Sequence, residues 1–524
     1  MTHKLKKTVI CLSILLLMTE MQAQTYYYDV HVPNSTVEQN SFIHQTPDVT
    51  PVPDYASARQ MLPQPIWANH PDAINLYHYA WEIAFSNLRV PTKRNGFVSP
   101  FIDTAFNGCL FMWDSSFILM FGRYGSRAFD FQATLDNFYG KQHSDGFICR
   151  EIRESDGSDT FERFDASSTG PNVMPWAEWE YFLNLNDTAR LQQVFHPLLA
   201  YYQWFKTYRS WPDGSYFASG WGCGMDNQPR IPQGFHELWS SAHMSWIDIT
   251  LQEIFAGKIL IKMAEHLGKD SEVKDIREEI DYLTQYVNEK MWNNQTAFYF
   301  DRFRDGSLSD VKSIAAYWAL LAQTADKNQS ERFIQHLENP NEFARTVRVP
   351  ALSADNPGYK ADGGYWNGGV WAPSSYMVLR GLTNYEKDSL AHAIASNLLE
   401  NAIEVYKQTG TLWEHYAPEM HKGMGKQKFV GWTGLIPITM LFEYVFGIRP
   451  NVPANELVWD VRLLDEHGIK NYPFGKEGVV NLLCAKRKNP KDEPRIKVSS
   501  TVDLQIKLIW EGGSKQIGIS KMIN

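Results

Sequence analysis

Four short stretches of the chain hold carboxylates or aromatic rings in settings that an ordinary surface loop does not need. "FMWDSSF" sets Asp114 between Trp113 and Phe117, and "WGCGMDNQPR" sets Asp226 on a glycine-bounded turn. "DGGYWNGGVWAPSSY" gathers Tyr365, Trp366 and Trp371 among glycines, and "LWEHYAPE" sets Glu414 between Trp413 and Tyr416. A carboxylate beside apolar rings is costly to bury unless it is paired, hydrogen-bonded or protonated, and desolvation raises its pKa. A carboxyl that keeps its proton towards neutrality is what a general acid needs. Two carboxyls in unlike environments are the minimum for glycoside hydrolysis, one protonating the departing oxygen while the other activates water or attacks. Each stretch also has a plain structural reading. Asp226 stands among the turn formers Gly222, Gly224, Asn227 and Pro229. Asp114 reads equally as a helix cap or a partner for a ring N–H, and Glu414 as a helix-end residue.

These loops need a frame. Between residues 74 and 446 apolar residues return at three- and four-residue spacing in segments such as "AINLYHYAWEIAFSNL", "LQQVFHPLLAYYQWFKTYRSW", "ITLQEIFAGKILIKMAEHLG" and "LAHAIASNLLENAIEVYKQTG". Loops rich in Gly, Pro, Asp and aromatics separate them. No tight repeat is present, which argues against a regular helical array. The length and the long loops suit a closed toroid of helical hairpins, an (α/α)6 barrel, although only seven of its twelve helices read strongly. After Pro450 the pattern changes to short β-type runs, "ELVWDVRLL", "GVVNLLCAK" and "VDLQIKLIWEG", so residues 455–524 are expected to form a small β-rich domain. Residues 24–73 are Pro-rich and polar and read as an extended arm or linker. At the start, Lys4, Lys6 and Lys7 precede an apolar run from Val9 to Met18, with Ala23 as a cleavage point. That is the pattern of a secretory signal over residues 1–23, and the run is short for a membrane span. A soluble exported protein, periplasmic or secreted, with no membrane insertion after signal removal, is the expectation.

The composition narrows the class further. The chain has 524 residues, 44% of them hydrophobic, which is enough for a large core. Its 18 Trp, 25 Tyr and 29 Phe suit sugar faces as well as cores. Loss of the signal removes three Lys and one Glu and moves the net charge from −9 to −11. An acidic exported protein is a poor partner for nucleic acid. Outside the signal stand Cys109, Cys149, Cys223 and Cys484, with no CxxC spacing and no His at ligand spacing. No metal and no cofactor is expected, and the cysteines read as one disulfide or as buried thiols.

The blocks "MWDSSF", "GMDNQPR", "YWNGGVWAPSSYMVLRGL", "LWEHYAPE" and "GWTGLIP" resemble, in the same order, those of the clan holding glycoside hydrolase families 63 and 37. These are processing α-glucosidases, trehalases and mannosylglycerate-hydrolase-like enzymes. The resemblance covers roughly residues 74–446. It implies an (α/α)6 barrel and a reaction that inverts the anomeric centre. By the same resemblance Asp226 is the general acid, Glu414 the general base, and Asp114, with Trp113 beside it, a ligand for sugar hydroxyls. Trp366, Asn367, Gly368 and Trp371 line the pocket, joined by Arg230 and Trp432. The block "YWRGPIW" of many family 63 members is altered, with Asn367 in place of Arg and Gly369 in place of Pro, which bears on the substrate. The implied substrate is a short α-linked glycoside, an α-glucoside or related compound. The competing readings are a catalytically silent sugar-binding protein on the same barrel, and a polysaccharide lyase or phosphorylase. A lyase would need a Tyr or His base with a cation for a uronate, and no matching His–Arg cluster stands in the sequence.

Overall fold

A computed structural model describes residues 32–522. The expected signal segment lies outside the described residues. Among them, twelve principal helices run between residues 71 and 445, beside shorter 3-10 and π turns. They are α1 (Pro71–Ser86), α2 (Met112–Gly122), α3 (Asp136–Gly140, entered through the 3-10 turn Phe131–Leu135), α4 (Met174–Leu185), α5 (Thr188–Tyr208) and α6 (Ile247–Leu267), then α7 (Lys274–Tyr286), α8 (Trp318–Leu321, entered through Ile314–Tyr317), α9 (Lys327–Ile334), α10 (Ala372–Asn384), α11 (Asp388–Thr409) and the π-helical α12 (Ile436–Val445).

The even-numbered helices form an inner ring. Helix α2 packs on α4, α4 on α6, α6 on α8 and α8 on α10. Helix α10 meets the turn Thr433–Leu435 that leads into α12, and α12 returns to α2. The odd-numbered helices form the outer ring, and α1 closes it by packing on α11 and α12. This is an (α/α)6 barrel. The sequence of each helix matches its ring. Every residue of α12, and every residue of α2 except Trp113, is buried, as an element enclosed on all sides must be. Outer α7 instead buries one stripe, Ile276, Ile280, Leu283 and Tyr286, at helical spacing. The hairpin from α4 to α5 is closed by only two residues. Asn186 takes a left-handed conformation that ends α4, and the Asp187 carboxylate accepts the Arg190 N–H that opens α5.

A buried ion network ties four inner helices together. Arg123, just past α2, donates to Glu180 of α4 at 2.8 Å and to Glu443 of α12. Tyr376 of α10 donates to Glu443 at 2.9 Å, and Arg380 donates to Glu180 at 2.5 Å. Charges this deep are tolerable only when each is paired, and here each carboxylate meets an arginine.

Two kinds of strand serve the barrel. In its loops, β2 (Cys109–Phe111) pairs with β3 (Glu151–Arg153), and β4 (Trp413–Tyr416) pairs with β5 (Gly423–Gln427). Beyond the barrel stand two four-stranded sheets. One contains β1 (Gln64–Ile66), β8 (His467–Pro473), β9 (Val479–Cys484) and β10 (Ile496–Ser500), all antiparallel. The other contains β6 (Ile448–Asn451), β7 (Glu456–Asp460), β11 (Leu504–Trp510) and β12 (Gly513–Ile519), with β7 and β11 parallel. The C-terminal sheets therefore draw strands from residues 64–66 and 448–451. The segment expected to be an extended arm carries the turns Ser35–Gln39 and Ser41–His44 besides β1. Val37 and Phe42 bury themselves from those turns, which fixes the segment to the barrel wall. The four cysteines are unpaired and buried.

Candidate active site

A cavity of about 510 Å³ opens among the loops that join the inner helices. Asp114 reaches it from the first turn of α2. The start of that helix is set by the β2–β3 hairpin, with Met112 N–H donating to the Arg150 carbonyl at 2.8 Å. The Asp114 side chain is buried, and burial pushes its carboxyl up to about 8, against its own backbone N–H and the Arg150 charge and with the charges of Glu151 and Glu414 adding to the rise.

Asp226 sits on the long loop between α5 and α6, and its neighbours explain how a loop can be rigid. The Asn227 amide donates to the Gly364 carbonyl at 2.9 Å, while its oxygen accepts the Trp366 N–H at 2.9 Å. Gln228 donates to the Ala351 carbonyl at 2.7 Å and accepts from Ser313 at 2.7 Å. Gly222 comes so close to the Ala166 carbonyl that a β-carbon would lie 2.7 Å from its oxygen. The residues flanking Asp226 thus peg the loop to three others, and the carboxyl itself remains half-buried in the cavity wall. Burial raises Asp226 to about 6. The nearby Arg150 charge opposes the rise, and the charges of Glu151 and Glu414 add to it.

Glu414 lies in β4 beside a register shift between Trp413 and His415. Its Oε2 accepts the Lys426 N–H at 2.9 Å, whereas its buried Oε1 accepts nothing from the protein. Burial raises this carboxyl too, against the pull of Lys426. Gly425 leaves room for it, since a β-carbon there would stand 2.3 Å from Oε2. Trp432 donates its indole N–H to the Glu414 carbonyl at 2.8 Å, which ties the strand to the cavity wall.

Trp113, Asp114, Asp226, Trp366 and Trp432 line the one cavity, and the Glu414 charge bears on both aspartates. Glu414 itself does not line it, and neither do four of the expected pocket residues. The Arg230 guanidinium is held at 2.7–2.8 Å by both Asp248 and Asp301 and lies over the Trp246 ring at 4.7 Å, so its donors are spent on anchoring the Asp226 loop. Trp371 stands behind the wall, stacked on Trp366 at 4.0 Å and on His415 at 4.2 Å. Gly368, at φ +143°, is the point where the loop passes the Lys360 carbonyl and the Tyr359 ring, which a β-carbon would meet at 2.8 and 2.9 Å. The Asn367 carbonyl accepts the Lys360 N–H at 2.8 Å and belongs to the same turn.

The sequence reading missed Arg150 and Glu151. They pair at 2.7 Å in the cavity wall, yet "CREIRE" reads as a solvated strand of alternating charge. Phe161, Trp221 and Trp239 were also missed. Tyr365 lines the cavity with a left-handed backbone, φ +63°, which is costly for a bulky side chain and is held by the Asn227 bonds to its neighbours. Among the described residues, no cluster of His, Cys, Asp or Glu is arranged to hold a metal ion, and no helix is long and apolar enough to cross a membrane.

Comparison with known proteins agrees with this fold. The family model described as "Mannosylglycerate hydrolase MGH1-like glycoside hydrolase domain" matches residues 110–433. An uncharacterized protein of Borreliella burgdorferi is 21% identical over 389 residues, 71% of this chain and 78% of its own length. A probable mannosyl-oligosaccharide glucosidase of Schizosaccharomyces pombe is 24% identical over 48% of this chain and only 35% of its own length. Among solved structures, the GH63 mannosylglycerate hydrolase of Thermus thermophilus in complex with glucose superposes with a TM-score of 0.57 at 20% identity, over 70% of this chain and 99% of that one.

Proposed function

Because the chain belongs to the mannosylglycerate hydrolase MGH1-like glycoside hydrolases and is a glycoside hydrolase, we propose that it cleaves a short α-linked glycoside with inversion, using Asp226 as acid and Glu414 as base. Asp226 gives its proton to the glycosidic oxygen as the bond to the anomeric carbon breaks. Glu414 takes a proton from the water that attacks that carbon from the opposite face. Asp114 accepts hydrogen bonds from sugar hydroxyls while Trp366 and Trp432 wall the ring. We further propose that the enzyme acts after export, on the strength of the signal-like residues 1–23.

The observation that carries the assignment is the contrast between Asp226 in the cavity wall and Glu414, which stands behind that wall within electrostatic reach of Asp226. Asp226 is raised to about 6 on a pegged loop, and Glu414 holds one oxygen on Lys426 N–H while the other is free of protein donors. The test compares a disaccharide, whose leaving group needs a proton, with the glycosyl fluoride of the same sugar, whose leaving group does not. Asp226→Asn lowers kcat on the disaccharide by about two to four orders of magnitude but spares the fluoride; Glu414→Gln lowers both. The kcat/KM of the wild type on the disaccharide rises as Glu414 ionises and falls about tenfold per pH unit above about 6, as Asp226 loses its proton. That falling limb disappears for Asp226→Asn on the fluoride. Proton NMR shows the β-sugar first from an α-glycoside. Normal activity of Asp226→Asn on the disaccharide, or the α-sugar appearing first, overturns the assignment.

A further inference from the structure

The cavity has two unlike ends. Asp114, Trp366 and Trp432 are 3–6% exposed and enclose one end, whereas Trp239 is 43% exposed at the other. At the open end three rings that the proposed chemistry does not use face one another. Trp221 and Trp239 are 4.1 Å apart, centroid to centroid, and edge-on, and Phe161 stands 5.9 Å from Trp221. Trp221 lies five residues before Asp226 on the same loop, and its N–H donates to the Leu238 carbonyl at 3.1 Å, which stitches the Trp239 segment alongside. A general acid must reach the departing oxygen, so the rings carried by its own loop face the leaving group rather than the sugar that is attacked.

The charges at this end are also informative. Arg150 is the cation among the lining residues, and it is already engaged by Glu151 at 2.7 Å, by the Ser167 carbonyl at 2.7 Å and by the Phe161 face at 4.7 Å. The Lys426 ammonium is taken by the Phe106 carbonyl. Asp114, Glu151 and Asp226 add three carboxyls to the same wall. A carboxylate-bearing leaving group would meet a cation already paired with Glu151, whereas a neutral ring with an apolar face would stack on indole.

Resting on the hydrolase reading above, we propose that Phe161, Trp221 and Trp239 form a leaving-group subsite for a neutral sugar ring, so that the substrate is an α-linked disaccharide or the end of a short oligosaccharide. A glycoside of a small organic acid is disfavoured.

The experiment measures kcat and KM for the wild type, Trp239→Ala and Trp221→Phe. The substrates are the α-fluorides of glucose, mannose and galactose, the matching α-linked disaccharides, and α-glycosides of D-glyceric acid. Trp239→Ala is the cleaner variant because its ring is partly in solvent, and Trp221→Phe keeps an aromatic packing group if Trp239→Ala misfolds. The expected result is a loss of about tenfold in kcat/KM on the preferred disaccharide, mainly through KM, with less than about a twofold change on the fluoride. An equal loss on both substrates, or no loss on either, overturns the subsite. So does a wild-type preference for the glycerate glycoside over every disaccharide. A wild type that turns over none of the three substrate types overturns the hydrolase mechanism itself, a signature distinct from failure of the subsite alone.

Discussion

Asp114 carries a conflict that can be measured. Its buried carboxyl holds its proton up to about pH 8, while in the unfolded chain it ionises near 3.8. Between those values the folded chain binds a proton that the unfolded chain has lost, so this group makes stability fall as pH rises through the window. Asp114→Asn removes the titration and keeps the shape. It is expected to melt with the wild type near pH 4 and about two to four degrees above it at pH 8, by calorimetry at a series of pH values. A gap that does not widen with pH would mean that Asp114 ionises normally. The same variant is expected to raise KM for the disaccharide, because the amide keeps one acceptor oxygen but puts two N–H donors where the second carboxyl oxygen stood. Stability given up at such a residue is the ordinary accompaniment of a site shaped for substrate rather than for the empty protein.

At the level of elements, the β4–β5 hairpin aims Glu414 through one glycine. Gly425 has φ +74°, and a β-carbon there would stand 2.3 Å from Glu414 Oε2. Gly425→Ala must displace the carboxylate, and a misplaced base loses catalysis steeply with distance. A fall in kcat of about a hundredfold is expected on the disaccharide and the fluoride alike. Gly410→Ala is the control: it has nearly the same positive φ, +70°, but nothing within 4 Å of its β-carbon. It should cost about 1 kcal/mol of stability and leave kcat unchanged. Equal kinetic effects of the two variants would show that backbone strain, not aim, is responsible. The "NQPR" tail works on the same principle for Asp226, with Asn227, Gln228 and Arg230 each bonded to a different part of the barrel.

For the whole molecule, the C-terminal sheets cover a face of the barrel. Tyr472 lies 5.7 Å from Tyr124 and 6.2 Å from Phe442, centroid to centroid, and the Trp459 indole donates to the Phe446 carbonyl at 3.1 Å. The Asn184 amide at the end of α4 donates to the Pro473 carbonyl at 3.1 Å. A chain ended after Phe446 would expose those rings and leave β1 without its partner strand. It is expected in the insoluble fraction, with no recoverable activity, when expressed beside the full chain. A soluble and active truncation would make the sheets a detachable appendage instead.

The sequence by itself showed the helical periodicity of much of the ring and, through its ordered blocks, the glycoside hydrolase resemblance. Helical periodicity is a local signal, and carboxylates placed among rings and glycines are unusual enough to read directly. Asp114, Asp226 and Trp366 were legible for that reason, as was the change to β-type runs after Pro450. Tertiary structure alone decided which polar groups face the cavity. Arg230 and Arg150 look alike in sequence, yet Asp248 and Asp301 take four of the five N–H donors of the first, while the second stays in the wall beside Glu151. Trp366 and Trp371 belong to one motif, but the turn through Gly368 puts one ring in the cavity and the other behind it. Trp221 and Trp239 meet because backbone bonds stitch two parts of a long loop together. Partners eighteen to more than a hundred residues apart leave no trace in spacing; which charge is neutralised and which ring is exposed follows from packing.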